Sequence, residues 1–401
     1  MIARQIAPGI DSLVALDWDR KLFDELVPLH DGTTYNSYLV RGSEKTALVE
    51  TVYPPFTADY LKALRQAGLT RLDYVIANHA EQDHSGSIPA VLAAYPEARV
   101  VTNARCRDLL IDAMGIAADR FITVKEGDTL SLGNRTFQFY LTPWVHWPDT
   151  MVSYLVEDKM LFTCDFFGSH LASSDLLAAD EARVYTAAKR YYAEIMMPFR
   201  MHIRKHLDKL SKLDIAFIAP GHGPAYPRPA FILDLYARWA SDEAAPEVIV
   251  PYVSMYENTT HMVNHLVDRL MEGGLSVRPF DLVGADTGQV AAALVDASTV
   301  VFASPAVLAG PHPDVVAAAY LTNALKPKVK FAAVIGSYGW GGNVVSNRIA
   351  EMLSGLKNQV TFFDPVLTKG KPNEDDFKAI DRLVDEIVTA NQPMLATAAA
   401  D

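Results

Sequence analysis

The chain has 401 residues, half of them hydrophobic, and carries a formal net charge of −12 at pH 7. This charge disfavours binding to a polyanion, so we expect no nucleic-acid partner. No apolar run approaches the ~20 residues of a membrane span, and the N-terminus lacks the apolar core of a signal peptide. We therefore expect a cytoplasmic protein with no membrane partner. Cys106 and Cys164 form no CxxC motif, which predicts two buried free thiols.

Strands with few helices between them dominate residues 1–245. Apolar runs and turn signals such as Gly133-Asn134 delimit the elements. The predicted strands are 35–40, 45–51, 72–78, 99–102, 121–125, 135–141, 152–156, 160–163 and 214–219. The predicted helices are 57–67, 88–94, 105–114 and one long helix near 181–210. This order is typical of a sandwich of sheets covered on the outside by helices.

A short polar stretch, 240–247, predicts a linker and places the domain boundary between residues 245 and 246. From there to residue 401, five strands alternate strictly with five helices. The predicted strands are 248–253, 276–282, 299–304, 331–337 and 360–365. The predicted helices are 260–273, 289–297, 314–325, 344–355 and 374–390. Such alternation predicts a doubly wound, five-stranded parallel sheet.

Side chains that can bind metal are concentrated directly after the strand predicted at 72–78. Together with later residues that follow or adjoin strands, the candidate metal ligands are His79, Glu81, Asp83, His84, His146, Asp165 and His222. Loops at one rim of a sandwich can bring such residues together. Imidazoles and carboxylates without thiolates suit a first-row divalent metal, and hard carboxylates favour iron.

The number of candidate ligands favours two metal ions, with a carboxylate between them to offset their repulsion. We assign one iron to His79, Glu81 and His146, and the other to Asp83, His84 and His222. Asp165 is the bridging carboxylate, and an open face remains for a small ligand. For His84 the alternative is a ring that faces away and only hydrogen-bonds to a ligand.

The remaining histidines are interpreted differently. The pairs His202/His206 and His261/His265 each have i,i+4 spacing, and we expect solvated helix faces for them. His170 lies close to Asp165 in sequence. It could support the metal cluster by a hydrogen bond, or it could simply be exposed.

Three loops at the carboxyl ends of strands in the second half could bind a flavin with one phosphate. The first loop leads into a helix, and the N-terminus of a helix stabilises a phosphate. The sequence contains no GxGxxG motif and no Walker lysine here, so a nucleotide with one phosphate fits better than NAD or ATP. Glycines let the backbone approach a flat ring, which Tyr338 or Trp340 could cover. The alternative is a response-regulator-like sheet without a cofactor. The candidate residues are Ser254, Met255, Tyr256, Glu257, Asn258, Thr259, Ser304, Pro305, Ala306, Val307, Leu308, Gly310, Ser337, Tyr338, Gly339, Trp340 and Gly341.

The motif H-x-E-x-D-H at 79–84, with later His, Asp and His residues and a flavodoxin-like half, resembles the flavodiiron proteins, or A-type flavoproteins. The resemblance runs from Leu16 to the last helix. It implies a metallo-β-lactamase-like αββα domain with a non-haem diiron site, followed by an FMN-binding domain. Hydrolases of this fold carry H-x-H-x-D-H with zinc, whereas Glu81 replaces the second histidine here. Two departures are Glu257 in the phosphate loop and the apolar loop 306–309.

The resemblance also implies an activity and its partners. The expected reactions are reduction of dioxygen to water, of nitric oxide to nitrous oxide, or both. FMN would relay electrons from a rubredoxin or a reduced deazaflavin. A head-to-tail homodimer, possibly paired into a dimer of dimers, would bring FMN of one chain beside the irons of the other. Because the sequence stops at residue 401, we expect no fused donor module.

Two rival functions remain compatible with the sequence. One is a dinuclear zinc hydrolase of the metallo-β-lactamase fold with an attached flavodoxin-like binding module. The other is an electron carrier in which the metal half is only structural. Glu81 argues against the first rival, because the zinc hydrolases carry histidine there.

Overall fold

The computed structural model describes residues 1, 3–23, 25–356 and 358–398. The chain divides into two compact units, Met1–Ala240 and Ser241–Asp401. This division lies a few residues before the predicted boundary between 245 and 246. Within the described residues, no helix combines the length and the apolar character needed to cross a bilayer.

The first unit contains two sheets and a set of helices. Its strands are β1 (Ala3–Ala7), β2 (Ile10–Asp17), β3 (Leu22–Phe23), β4 (Val27–Pro28), β5 (Thr33–Arg41), β6 (Thr46–Val49), β7 (Tyr74–Ile76), β8 (Arg99–Asn103), β9 (Phe121–Val124), β10 (Thr129–Ser131), β11 (Thr136–Leu141), β12 (Met151–Leu155), β13 (Met160–Cys164) and β14 (Phe217–Pro220). Its helices are α1 (Thr57–Gln66), α2 (Gln82–Ser85), α3 (Ile88–Ala94), α4 (Ala104–Met114), α5 (Glu181–Tyr191), α6 (Arg200–Leu210) and α7 (Pro229–Ala240).

The two sheets pack face to face. The first sheet has the strand order β1-β2-β5-β6-β7-β8-β9, and the second runs in order from β10 to β14. Successive side chains of β5 point to opposite faces of the sheet, so this strand contributes to two hydrophobic cores. Tyr38 and Val40 join residues of the second sheet such as Phe162, whereas Leu39 joins the layer formed by α1, α3 and α4. This period of two is what a strand buried on both faces requires.

The structure of the first unit differs from the predicted elements in its long helix and in several elements that were not predicted. The long helix predicted near 181–210 is interrupted, because α5 is followed by a π-helical turn, Tyr192–Met196, and a 3-10 turn, Met197–Phe199, before α6 begins. Pro198 lies in this interruption, and a proline cannot donate the backbone hydrogen bond that a continuous helix needs. The strand predictions missed β1, β2, β3, β4 and β10, and the helix predictions missed α2 and α7.

The second unit is a parallel sheet with helices on both faces. Its strands are β15 (Ala245–Tyr252), β16 (Ser276–Asp281), β17 (Ala297–Val307), β18 (Gly310–Pro311), β19 (Phe331–Tyr338), β20 (Thr361–Phe362) and β21 (Val366–Lys369). Its helices are α8 (Asn258–Glu272), α9 (Thr287–Leu294), α10 (Pro313–Leu325), α11 (Val344–Met352) and α12 (Glu374–Ala398).

The main path of the sheet has the order β16-β15-β17-β19-β20, all parallel, as the alternating pattern predicted. Of the fifth predicted strand, 360–365, only 361–362 form a strand, β20; a second strand, β21, begins after the predicted range, and both pair with β19. Pro365 lies between the two pieces, where it has no N–H to give to the ladder. Apolar side chains of α8 and α12 share one core with the central strands.

Candidate functional site

All seven predicted metal residues meet at one edge of the sandwich. The loop after β7 carries His79 and Glu81, and α2, which follows at once, carries Asp83 and His84. The other three lie on the β11–β12 connection, directly after β13 and directly after β14, and they are His146, Asp165 and His222. Because these loops leave both sheets at the same edge, residues distant in sequence converge there.

The seven side chains form two trios around Asp165. In the first trio, Nε2 of His79 and Nε2 of His146 each lie 3.2 Å from Oε2 of Glu81. In the second trio, Nε2 of His222 lies 3.1 Å from Oδ2 of Asp83, and Nε2 of His84 lies 3.5 Å from Oδ1 of Asp83.

Asp165 faces both trios with different oxygen atoms. Its Oδ2 lies 3.6 Å from Nε2 of His79 and 3.5 Å from Nε2 of His146. Its Oδ1 lies 2.9 Å from Nε2 of His84 and 3.4 Å from Nε2 of His222. This is the arrangement expected of a carboxylate that bridges two cations. The ring of His84 points into the cluster, so the alternative of a ring that faces away does not describe this structure.

Several of these buried atoms have no hydrogen-bond partner. They include both carboxylate oxygens of Asp83, Oδ2 of Asp165 and Nε2 of His222. Leaving a buried carboxylate oxygen or imidazole nitrogen unsatisfied is costly, and native structures rarely do so. Ligand atoms from each trio lie within 4.8 Å of one another. The donor set therefore fits two metal ions that would use these lone pairs.

The electrostatics of the cluster point the same way. Burial alone would raise the pKa of Asp165, but the imidazoles of His84, His146 and His222 hold it well below its usual value. Burial alone would lower the pKa of His146, but the neighbouring carboxylates of Asp165 and Glu81 raise it to about 9. Anionic carboxylates thus favour positive charge at this point, which a protonated imidazole or a metal cation can provide.

Buried partners orient the imidazoles, and the sequence predictions missed them. Nδ1 of His79 lies 3.1 Å from Oδ2 of Asp149, which also accepts a bond of 2.9 Å from the backbone N–H of Ala80. Nδ1 of His222 donates to the carbonyl of Thr34 over 2.6 Å. In both cases Nε2 is left to face the cluster. Asp149 is close to His146 in sequence, and this was the one available signal.

Two further contacts fix the bridging residue and the loop of His222. The hydroxyl of Tyr191 donates to Oδ1 of Asp165 over 2.8 Å. The side-chain amide of Asn36 donates to the carbonyls of Pro220 and Gly223, at 2.9 and 2.8 Å. A Cβ at Gly221 would lie 2.6 Å from Cε1 of His84, so only glycine lets that ring approach the loop.

The other histidines divide into buried and exposed cases. His170 is buried beside the cluster, with Nδ1 2.9 Å from Oγ1 of Thr33 and its ring 5.2 Å from the ring of His222. His202 is exposed as predicted, whereas the expectation of a solvated position is wrong for His206, which is buried. Both cysteines are buried and free, as expected.

In the second unit, the three predicted loops line one cavity of about 250 Å³ at the carboxyl ends of β15, β17 and β19. The predicted residues that line it are Met255, Tyr256, Asn258, Pro305, Ala306, Ser337, Tyr338 and Gly339. Gly370, after β21, also lines it and was not predicted, because its approach depends on the split fifth strand. The remaining predicted residues lie beside the cavity or in the turns that shape it: Ser254, Glu257, Thr259, Ser304, Val307, Leu308, Gly310, Trp340 and Gly341.

Some of these residues hold the loops rather than line the cavity. Oγ of Ser254 accepts from the backbone N–H of Thr260 over 3.2 Å. Oγ1 of Thr259 lies 3.2 Å from Oγ of Ser337, which joins two of the loops. Oγ of Ser304 accepts from the backbone N–H of His312 over 2.8 Å. The cavity is therefore walled by loops at the N-terminus of α8, where a phosphate is stabilised by free N–H groups.

Comparison with known proteins extends over both units. A family model described as "ODP family beta lactamase" matches residues 33–223. A nitric oxide reductase of Moorella thermoacetica is 36% identical over 344 residues, which cover 84% of this chain and 86% of that protein. Two solved structures complete the comparison.

The rubredoxin oxygen:oxidoreductase of Desulfovibrio gigas has a TM-score of 0.93 at 29% identity, covering 98% of this chain and 100% of that one. The flavodiiron protein of Giardia intestinalis has a TM-score of 0.90 at 27% identity, covering 99% and 98%. These matches confirm the predicted fold class, a metallo-β-lactamase-like αββα sandwich followed by a flavodoxin-like doubly wound sheet.

Proposed function

Since the chain belongs to the flavodiiron family, also named type A flavoproteins, we propose that this oxidoreductase reduces dioxygen to water, nitric oxide to nitrous oxide, or both. The observation that carries the proposal is Asp165, whose two oxygens each face a separate trio of ligands. A bridging carboxylate between two such trios is what a dinuclear site requires. The related nitric oxide reductase and rubredoxin oxygen:oxidoreductase support the reaction class.

The residues that would hold the metals follow from the geometry. His79, Glu81 and His146 would hold one iron, Asp83, His84 and His222 the other, and Asp165 both. When bound, two ferrous ions and a reduced flavin supply four electrons, the number that takes one dioxygen to water, while two electrons suffice to couple two molecules of nitric oxide. The ring of Trp147 lies 4.9 Å from the ring of His79 and shields that side of the cluster from water.

Three carboxylates in the cluster, Glu81, Asp83 and Asp165, favour iron over zinc. A histidine in place of Glu81 would give the zinc-hydrolase pattern, which remains the alternative function: a dinuclear zinc hydrolase with a flavodoxin-like binding module. The carboxylate of Glu81 lies 3.2 Å from Nε2 of both histidines in its trio. It therefore faces the metal position and not solvent, and this observation favours the oxidoreductase.

FMN is the proposed flavin of the second unit. The cavity at the carboxyl ends of the strands has the N-terminus of α8 for a single phosphate, and it has Tyr338 and Gly339 for the ring. The apolar loop 306–309 contributes backbone groups rather than polar side chains. Trp340, which is 69% exposed, is free to cover the outer face of the ring.

A head-to-tail homodimer would bring the flavin of one chain to the metals of its partner. Its support is two sets of exposed apolar side chains. Tyr256, Leu308 and Trp340 are exposed around the flavin loops, and Trp144 and Trp147 are partly exposed on the loop of His146. Exposed aromatic groups of this kind mark interaction surfaces. Two such dimers could pair further, as a dimer of dimers.

The proposed electron donor is a rubredoxin, with a reduced deazaflavin as the alternative. The related rubredoxin oxygen:oxidoreductase supports the first choice. Two buried free thiols fit a reducing compartment, and we place the protein in the cytoplasm.

One anaerobic experiment tests the proposed function. Metal analysis and a visible spectrum of the purified protein should give two irons and one flavin per chain. Reduced rubredoxin is then mixed with the protein and either gas, and donor oxidation is followed by absorbance. The expected result is rapid oxidation with at least one gas. Bound zinc without flavin absorbance would favour the hydrolase, and flavin that stays reduced in both gases would contradict gas reduction.

A further inference from the structure

The loop that carries His146 is the least supported part of the metal cluster. His79 and Glu81 follow β7 closely, and Asp165 and His222 follow their strands almost at once. His146 instead lies midway along the connection between Leu141, the last residue of β11, and Met151, the first of β12. Its position therefore depends on whatever holds this connection in place.

The connection also contains strained backbone. Trp144 adopts φ of 69°, in the left-handed region that bulky residues rarely occupy. Such a conformation is unfavourable and persists only where the surroundings fix it. The loop's own bonds, from the N–H of Trp144 to Trp147 and from that of Thr142 to Thr150, close a turn but do not anchor it to the rest of the unit.

After His146, the connection is held at Asp149, which accepts from the N–H of Ala80 and whose carbonyl accepts from the side-chain amide of Asn103. Before His146, the anchors come from α6. Nε2 of His206 donates to the carbonyl of Pro143 over 3.0 Å, and Nζ of Lys209 donates to the carbonyl of Leu141 over 2.7 Å. Pro143 has no N–H, so its carbonyl is the only backbone group by which it can be held. His206 is only 3% exposed, whereas Lys209 is partly exposed and is shared with Glu126. Lys209 therefore divides its contacts between this connection and Glu126, whereas the buried ring of His206 bonds to the connection.

The protonation of His206 suits this role. Because a carbonyl can only accept, the Nε2 atom must carry the proton, and Nδ1 has no hydrogen-bond partner. Burial lowers the pKa of His206 further than the bond to Pro143 raises it, which keeps the ring neutral at pH 7. A neutral donor in a buried place costs less than a charged one.

We propose that His206 is a positioning residue that holds the loop of His146 and thereby sets the metal affinity of the trio His79, Glu81 and His146. The inference rests on the proposed function only in that this trio binds a metal ion. Removing a partner that orients a ligand typically lowers metal affinity by about 10–100-fold. The effect here should fall on one ion of the two, because Asp83 and His84 lie on α2 and His222 follows β14, away from this connection.

The test compares His206→Met with His206→Gln, which have similar shapes but differ in the ability to donate a hydrogen bond. Metal-stripped proteins are titrated anaerobically with Fe²⁺ against a chromophoric chelator. We expect His206→Met to bind one ion about tenfold or more weaker and the other unchanged, and His206→Gln to stay near the wild type. Met201→Ala, at a position of α6 that is 63% exposed, is the control and should change neither affinity.

Each other outcome has a defined meaning. If His206→Met binds both ions as tightly as the wild type, or if Gln fails to rescue, the inference is wrong. Equal weakening of both ions would indicate a general loss of structure and would also overturn it. Should the His206 variants not fold, Lys209→Met removes the second, more exposed anchor and must weaken the same single ion, and an unchanged affinity there counts against the inference.

Failure of the proposed function can be told apart from failure of this inference. The titrations are repeated with Zn²⁺, and flavin content is measured for each variant. A wild type that takes zinc but no iron would refute the oxidoreductase, yet the comparison of the Met and Gln variants would still test His206. A wild type that binds two irons and reduces gas, with no selective loss in His206→Met, refutes only the positioning role.

Discussion

Glu257 is unfavourable in two respects. Its backbone lies in the left-handed region, and its negative charge lies in the loop proposed to bind a phosphate. It precedes α8 with φ of 63° and ψ of −12°, in the left-handed region, and its side chain caps no N–H of the helix. The side chain is exposed and does not line the cavity. The substitutions Glu257→Gly and Glu257→Gln separate the two effects, because only Gly relieves the backbone, whereas both remove the charge.

The effect on stability follows from the backbone alone. A non-glycine residue in the left-handed region costs roughly 1–2 kcal/mol. Glycine loses more freedom on folding, which costs roughly 0.5–1 kcal/mol. Glu257→Gly should therefore raise the free energy of unfolding of the second unit by about 0.5–1 kcal/mol, and Glu257→Gln should leave it unchanged. Urea denaturation followed by a probe of this unit measures the difference.

The effect on flavin binding follows from the charge. At ~7 Å in water, a carboxylate and a doubly charged phosphate repel by about 1 kcal/mol, and screening at physiological salt roughly halves this. Both variants should therefore bind FMN about two- to threefold more tightly, measured by quenching of flavin fluorescence on titration of the apoprotein. Riboflavin, which lacks the phosphate, is the matched ligand and should show no gain. FMN affinity unchanged in Glu257→Gln, or an equal gain for riboflavin, would refute the reasoning.

Three further substitutions test the metal site and the core. Asp149→Asn removes the carboxylate that orients His79 and should lower iron affinity by about 10–100-fold in a chelator competition, with flavin content unchanged. Glu81→His creates the H-x-H-x-D-H pattern and should lower the ratio of iron to zinc retained from a mixture of both ions, as measured by metal analysis; an unchanged ratio would contradict the role of Glu81. Trp239→Ala empties a fully buried position beside Tyr236 and should cost about 3–5 kcal/mol of stability in denaturant titration.

Most of the metal ligands could be predicted from sequence because they follow a recognisable apolar strand closely, and His146 because it lies on a loop between two such strands. The strand before His79 and the strand before Asp165 are short and continuous, so the residues after them had to lie on loops at a sheet edge. The assignment of the two trios to the two oxygens of Asp165 agrees with the distances. Spacing and residue type carried this information without any knowledge of the sheet order.

The supports of the ligands could not be predicted in the same way. His222 donates to a backbone carbonyl, that of Thr34, and any residue type supplies a carbonyl. Tyr191 reaches Asp165 from the end of α5, a contact that depends on where the interrupted helix turns. The sequence around His206 is rich in basic residues and therefore predicts an exposed helix face, yet His206 is bonded to the carbonyl of Pro143. Such contacts are fixed by tertiary structure, which periodicity does not encode.

The metal ligands come from both sheets of the first unit, and this affects how the site forms. His79 and Glu81 follow a strand of the first sheet, whereas Asp165 and His222 follow strands of the second. Without cations, both carboxylate oxygens of Asp83 and Oδ2 of Asp165 lack hydrogen bonds that would compensate their burial, so the packed edge is costly. Metal ions that bind only the assembled edge stabilise the folded unit by mass action and cross-link its two sheets. The supports of His79 and His222 act before any ion binds, since they fix each imidazole with Nε2 towards the cluster, and less ordering then remains for the metals to drive.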